Sequence, residues 1–461
     1  MRRRFTETTV LLISTFKWST LAGVVGIVVG LSTTAFLKVL NRSISLSNIY
    51  SHYYLLLPFI FFLNALIIRY LCPSAEGHGT EKVIEAIHKY SGRINPAVIF
   101  IKPFTAILTI SFGGSAGKEG PCAQIGGSIA SFFSDILRLD DNDRKKLVIC
   151  GISAGFSSVF GTPVAGSLFG IEVLFIGSVF YDALLPSFVA GIVSYYISSI
   201  LGSPYFYSAI EKSSPLLPGM SSIVILKIIV SGILFGAVSM LMIETMRLFK
   251  KFSSGLNIWF PLKGMAGGCL LVILTLIFST RYLGLGSETV KGALEGKSLV
   301  WYAFILKIIF TAITLNFWGS GGIIFPLFFV GATSGVSFSN LMGMDRSFLS
   351  AIGLVSVLAG AANTPISASV MAIELFGKGI APYAALSCIV SFLITGHRSV
   401  YPSQILGIRK TPSINIEVGS EIDKTQPHII HREKSLISII YEICKKMRRD
   451  GDDVDRYKKK L

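Results

Sequence analysis

Charge is scarce in this chain. Asp, Glu, Lys and Arg supply 15% of its 461 residues, and hydrophobic residues supply 51%. Soluble domains carry about 25% charged residues. A soluble globular protein is therefore excluded, and the mean hydropathy of +0.65 agrees. Cysteine pairs at metal or redox spacing are missing too. None of the six cysteines (Cys72, Cys122, Cys150, Cys269, Cys388, Cys444) forms a CxxC, so they are read as small buried hydrophobes. The six histidines show no HExxH spacing. No small-residue cleavage site follows the first apolar run, and Lys17 interrupts it, so a cleaved signal peptide is not expected. A membrane-embedded enzyme would need a nucleophile with its base, paired aspartates or a metal site. The acids inside the apolar region are too few for that, so no enzymatic activity and no cofactor are expected.

What the chain does have is apolar sequence. Stretches such as Trp18–Leu37, Ala97–Phe112, Val164–Gly202, Ile323–Met342 and Ile380–Thr395 recur along it. Crossing the roughly 30 Å hydrocarbon layer takes about 20 helical residues. Several stretches fall short of that, while Val164–Gly202 is long enough for two. Irregular lengths broken by Gly and Pro indicate tilted, broken or re-entrant helices buried within protein. The net charge of +16 gathers at the ends, in Arg2–Arg4 and from Arg409 to Lys460. The positive-inside rule then puts both termini in the cytoplasm. The basic excess is read as topology and contact with anionic lipid, not with nucleic acid. Residues 1–17 form a cytoplasmic N-terminal segment, 18–406 the membrane domain, and 407–461 a charged cytoplasmic tail. Within the tail, Ser435–Met447 has the spacing of a short amphipathic helix, and the last dozen residues look disordered.

The most marked stretch is Gly113-Gly114-Ser115-Ala116-Gly117-Lys118-Glu119-Gly120-Pro121. Glycines let backbone amides approach a ligand closely. Pro121 suits the first turn of a helix, and the positive end of the helix that follows, to about Ile136, would face the loop. That is an anion-binding geometry with a glutamate placed where the anion should sit. A turn capped by Glu119 is an equal alternative on these residues alone.

A repeat decides between them. Gly114 to Pro121 and Gly319 to Pro326 both read G-S-x-G-x-x-x-P. Lys102 and Lys307 each stand 12 residues before the first glycine. Thr162-Pro163 and Thr364-Pro365 are each followed, nine residues after the proline, by Glu172 and Glu374. Gly151 and Gly353 each precede that proline by 12. Four matches in one order divide the membrane domain into halves, about 18–205 and 215–406. In membrane proteins of this kind the site lies at the repeat interface, with half-helix N-termini aimed at it. Glu172 and Glu374, by their matched placement, are as much candidates for capping or pairing as for function.

Two further positions stand out. Glu76-Gly77-His78-Gly79-Thr80-Glu81 is a polar glycine loop, with Thr80 expected to cap the following helix. By chemistry alone it is a loop with a satisfied histidine, and a third helix N-terminus on an anion path is the alternative. Tyr401 closes the apolar region, where an interface anchor is the commoner role.

These residues resemble the ClC family of chloride channels and chloride/proton exchangers. Gly117-Lys118-Glu119-Gly120-Pro121 is similar to the family's G-K/R-E-G-P motif. Gly322-Ile323-Ile324-Phe325-Pro326 is similar to G-x-F-x-P, with Ile324 in place of phenylalanine. Gly77-His78-Gly79-Thr80-Glu81 stands where the family has G-S-G-I-P, and Tyr401 matches its tyrosine near the last membrane helix. The resemblance spans about residues 18–406. It implies an all-α polytopic membrane protein of two inverted repeats, a homodimer, and chloride with possible protons as the transported ligands. It also implies a prokaryotic inner-membrane location. Glu119 would be the gating glutamate. His78, Gly117, Lys118, Gly120, Ile323, Ile324 and Tyr401 would line the anion path.

Two departures matter. His78 replaces the serine that helps set anion preference, so the preference for chloride is open, and a histidine adds pH dependence. Exchangers carry a second glutamate directly after the position of Glu172, and here that position is Val173. Channel-like or weakly proton-coupled permeation is the expectation that follows, with a coupled chloride/proton antiporter as the alternative. Fluoride selectivity is not expected, because that subgroup's loops differ from those of this chain.

Overall fold

The computed structural model describes residues 2–203, 205, 221–425 and 428–429. The expected tail helix at Ser435–Met447 and the last dozen residues lie outside them. The described residues hold sixteen α-helices and four two-residue strands. In the first half these are α1 (Arg2–Ser47), α2 (Leu57–Leu71), α3 (Gly79–Lys89), α4 (Val98–Ser111), α5 (Glu119–Ile136), α6 (Asp141–Phe160), α7 (Pro163–Glu172), β1 (Phe175–Ile176) and α8 (Leu184–Ile200). The second half has α9 (Ser222–Gly255), α10 (Phe260–Ile277), α11 (Ser287–Leu294), α12 (Ala303–Asn316), α13 (Ile324–Met342), α14 (Arg346–Ala362), α15 (Pro365–Phe376) and α16 (Ala381–Thr395). Strands β2 (Ile405–Leu406), β3 (Ile414–Asn415) and β4 (His428–Ile429) follow. Seven helical segments among the described residues are long and apolar enough to cross a membrane, and the one over Ile324–Met342 is the most enclosed by protein. Val164–Gly202 does contain two helices, α7 and α8.

The repeat is visible in how each helix starts and stops. Asp140 caps α6 by accepting from the amides of Asn142 (2.9 Å) and Asp143 (2.8 Å). Asp345 caps α14 by accepting from Phe348 N (2.8 Å). Such caps satisfy amides that lack an intrahelical partner. The helices end in left-handed residues, Gly161 (φ 71°) and Asn363 (φ 57°), as the C-terminal turn requires. Helix α6 has 20 residues and α14 has 17. That three-residue difference accounts for the fall in repeat spacing from 205 to 202. Close packing repeats as well. A side chain at Gly126 would strike the carbonyl of Gly151, and one at Gly331 would strike that of Gly353. Only glycine allows α5 on α6, and α13 on α14, to approach so closely.

Glu172 and Glu374 have a structural role. Glu172 accepts from Ile366 N (3.0 Å) and Ser367 N (2.8 Å), at the start of α15. Glu374 accepts from Val164 N (3.0 Å) and Ala165 N (2.8 Å), at the start of α7. Each helix opens with proline and so has its first free amides at these positions. The carboxylate ending each helix neutralises the positive end of the other, so α7 and α15 run antiparallel.

Three details depart from expectation. Helix α1 runs unbroken through residue 18, with Lys17 paired to Asp143 at 2.9 Å, because its N-terminal turns are helical too. Cys269 on α10 is exposed, not buried. The described residues 407–425 pack back onto the membrane domain. Strand β2 pairs with β1 in parallel, and Ile416 and Ile422 bury themselves against Ile176 and Leu406.

Candidate functional site

Positions 117 and 322 are equivalent in the repeat, and they meet. Gly117 N donates to Gly322 O (2.8 Å), and Gly322 N donates to Gly117 O (2.6 Å). The flanking bonds repeat across this pair. Thr109 Oγ1 accepts from Ser320 N, and Thr314 Oγ1 accepts from Ser115 N, both at 2.9 Å. The two glycine loops therefore hold each other through two amides from each side, those of Ser115 and Gly117 and of Ser320 and Gly322.

Three helix N-termini converge here. Helix α5 begins at Glu119 and α13 at Ile324. Helix α3 begins at Gly79, where a side chain would strike the carbonyl of Gly120. A side chain at Gly120 would come within 2.7 Å of Gly322 Cα. The three positive ends thus sit on adjoining backbones, an arrangement that favours negative charge. The charge present is Glu119. Its side chain is fully buried, and Oε1 accepts from Ile324 N at 2.6 Å. The backbone of Glu119 and of Phe325 also bears on the carboxylate. Side chains at Gly117 or Gly322 would collide with this carboxylate, so both glycines leave room for it.

The other expected residues fall around this point. Ile323 is the N-cap of α13. Lys118, the N-cap of α5, is buried, with Glu119 as a charged neighbour. His78 forms a single parallel bridge with Gly321, and its ring lies 5.7 Å from that of Tyr401. Tyr401 is fully buried, not an interface anchor. Its hydroxyl has Thr80 beside it and no hydrogen-bond partner of good geometry. His78 Nδ1 is also without a partner, so the histidine is not the satisfied one that its loop suggested. Thr80 lies inside α3, and His78 takes the N-cap position without a side-chain bond. Val173 is fully buried, and its carbonyl accepts from Gln404 Nε2 at 2.7 Å. This position is sealed structure.

An open cavity of about 670 Å³ reaches His78 from the face that carries Glu421 and Lys424. Its lining mixes cations, among them Lys82, Arg247 and Lys250, with the carboxylates of Glu76, Glu85 and Glu421.

Two features escaped the sequence reading. Lys102 Nζ donates to the carbonyls of Ala75 (3.0 Å) and Gly77. Lys307 Nζ donates to those of Tyr282 (3.1 Å) and Gly284 (2.8 Å). Gly77-His78-Gly79 therefore has a counterpart, Gly284-Leu285-Gly286, and the signal was a G-x-G standing 25 and 23 residues before matched lysines. The second feature is Glu81, whose Oε1 accepts from Ser403 N (3.0 Å) and Ser403 Oγ (2.6 Å).

An inverted repeat with helix starts gathered on a buried carboxylate defines a polytopic, all-α membrane protein. Residues 59–396 match the family model described as voltage gated chloride channel. The chain is 33% identical, over 86% of its length and 87% of the relative's, to a protein of Pseudomonas syringae pv. tomato named chloride/fluoride channel protein. It is 26% identical to the H(+)/Cl(-) exchange transporter ClcA of Klebsiella pneumoniae, covering 77% and 80% of the two chains. A solved CLC-type fluoride/proton antiporter superposes with a TM-score of 0.78 at 28% identity, covering 84% of this chain and 98% of that one. The fold is shared with a slow cyanobacterial Cl−/H+ antiporter, at a TM-score of 0.70 and 20% identity over 82% and 94% of the chains. The chain belongs to the voltage gated chloride channel (CLC) family, as a CLC-family chloride transporter.

Proposed function

We propose that this chain is a proton-coupled halide antiporter in which Glu119 serves both ions. The observation that carries this reading is the bond from Ile324 N to Glu119 Oε1 where three helix starts meet. A carboxylate occupies an anion seat there. A halide and a carboxylate compete for the same amide donors, and a protonated carboxyl gives up its claim to them. Entry of the anion is then linked to protonation of Glu119. His78, Tyr401 and the backbone at Gly117, Gly120, Ile323 and Ile324 surround the path, and Lys118 adds positive potential.

This reading replaces the channel-leaning one drawn from Val173. Three of the four similar proteins above are named for exchange or antiport with protons, which supports the coupled mode. Fluoride enters as a second cargo, against the sequence expectation. Two similar proteins carry it in their names, and fluoride is a strong acceptor for backbone amides. We further propose a homodimer in a prokaryotic inner membrane, with both termini cytoplasmic.

The test is reconstitution into sealed vesicles with an outward halide gradient and no proton gradient. Antiport predicts inward, uphill proton movement with either chloride or fluoride, and comparing the two rates orders the cargoes. Halide efflux without proton movement would contradict the reading.

A further inference from the structure

We propose that Glu81 is the proton-accepting group through which Glu119 exchanges protons with the open cavity, taking the place of a carboxylate at Val173. The inference rests on the antiport reading and adds a route to it. Glu81, His78 and Ser403 all line the cavity. Two buried polar atoms here have no hydrogen-bond partner among the described residues, Glu81 Oε2 and His78 Nδ1, while the Tyr401 hydroxyl has Thr80 beside it and the Glu119 carboxylate lies against the backbone of Ile324 and Phe325. Leaving such an atom unsatisfied costs about 1–3 kcal/mol, so both atoms are favoured sites for an exchangeable proton. Their order follows from their places on α3 and around the Tyr401 ring. Glu81 stands one turn into α3 from His78, His78 faces Tyr401, and the charges of both Glu81 and Glu119 reach the Tyr401 hydroxyl.

Glu81 is also tethered differently from its neighbours. Glu85, on the same helix, is paired with Lys82 (3.0 Å) and Lys89 (3.4 Å). Glu81 has no salt-bridge partner among the described residues. Ser403 holds one oxygen and leaves the other free. The charged groups bearing on it are Glu85 on its own helix and Lys250 on α9, with Tyr401 and His78 on the inner side. In the step proposed, a proton from cavity water bonds to Glu81 Oε2. It passes inward by way of His78 or the Tyr401 hydroxyl, each of which accepts one proton and releases one. It ends on Glu119, which turns from carboxylate to carboxylic acid and vacates the anion seat. Glu81 returns to its ionised form.

The experiment compares halide ions moved per proton, in the same vesicles, for the wild type, Glu81→Gln and Glu85→Gln. The expected result is a ratio at least tenfold higher for Glu81→Gln and a wild-type ratio for Glu85→Gln. An unchanged ratio in Glu81→Gln overturns the inference while the antiport reading stands. A wild type that moves no protons overturns both. Should Glu81→Gln fail to fold, Ser403→Ala decides the matter. It removes a donor from the ionised carboxylate, so the midpoint of proton transport against pH on the cavity side should rise by about one unit. A midpoint that does not move overturns the inference.

Discussion

The two lysine-braced glycine loops begin alike and end differently. In the first half, Lys102 grips the carbonyls before His78, and the loop opens on a cavity and on Tyr401. In the second, Lys307 grips the matching carbonyls before Leu285. That loop is closed by aromatic rings. A side chain at Gly286 would come within 2.7 Å of Phe329, and Tyr282 lies edge-on to the same ring. The divergence recurs one layer deeper, where position 119 is a glutamate and its equivalent, 324, an isoleucine that contributes only its amide. Duplication built the scaffold, with its lysines, caps and glycine contacts. Chemistry appears where equivalent positions stopped matching.

The largest effect expected is at Glu119. Glu119→Gln keeps the shape and loses the ionisable group, so uphill proton transport should fall to background while halide flux becomes insensitive to pH. Next come the loops. His78→Leu gives the first loop the residue of the second. It should slow halide transport about tenfold, equivalent to roughly 1.4 kcal/mol, without loss of fold. Leu285→His should leave the rates as they are. Equal effects in both loops would break the comparison. Gly126→Ala and Gly331→Ala test the scaffold instead. Each sets a methyl against a carbonyl, and each should destabilise the protein by about 1–3 kcal/mol in thermal unfolding, the two alike. Glu172→Gln and Glu374→Gln should cost about 1 kcal/mol each, again alike, and leave halide ions per proton unchanged.

The smallest effect is expected at the cavity mouth. Glu421 pairs with Lys89 (3.0 Å) and Lys424 (2.9 Å). Burial raises its carboxyl's pKa, but the two lysines outweigh it and hold the group below the usual range. Its contribution is therefore present above the unfolded value of about 4.3 and is lost as pH falls through the lower folded value. Glu421→Gln should cost under about 1 kcal/mol at neutral pH, less in high salt and nothing below that window.

Much of this was legible before the structure. The G-S-x-G-x-x-x-P pair and the matched Glu172 and Glu374 exposed the repeat, and Glu119 stood out as a carboxylate in an anion-binding loop. The near-even choice over the other two glutamates resolved to capping only in three dimensions, because the partner of each lies in the other half. His78 and Tyr401 looked ordinary for the same reason. Each is unremarkable beside its sequence neighbours, and their meaning comes from facing one another. Val173 pointed toward a channel because a missing carboxylate is easy to see. A substitute such as Glu81 is not, since its bond to Ser403 spans 322 positions.

The most direct test of Glu119 as a stand-in for the anion is halide binding to the purified protein, measured by calorimetry across pH. If carboxylate and halide compete for one seat, apparent affinity should weaken up to tenfold per pH unit above the titration of Glu119. Glu119→Gln should bind with one affinity throughout. PH-independent binding by the wild type, or the same pH dependence in both proteins, would contradict the account.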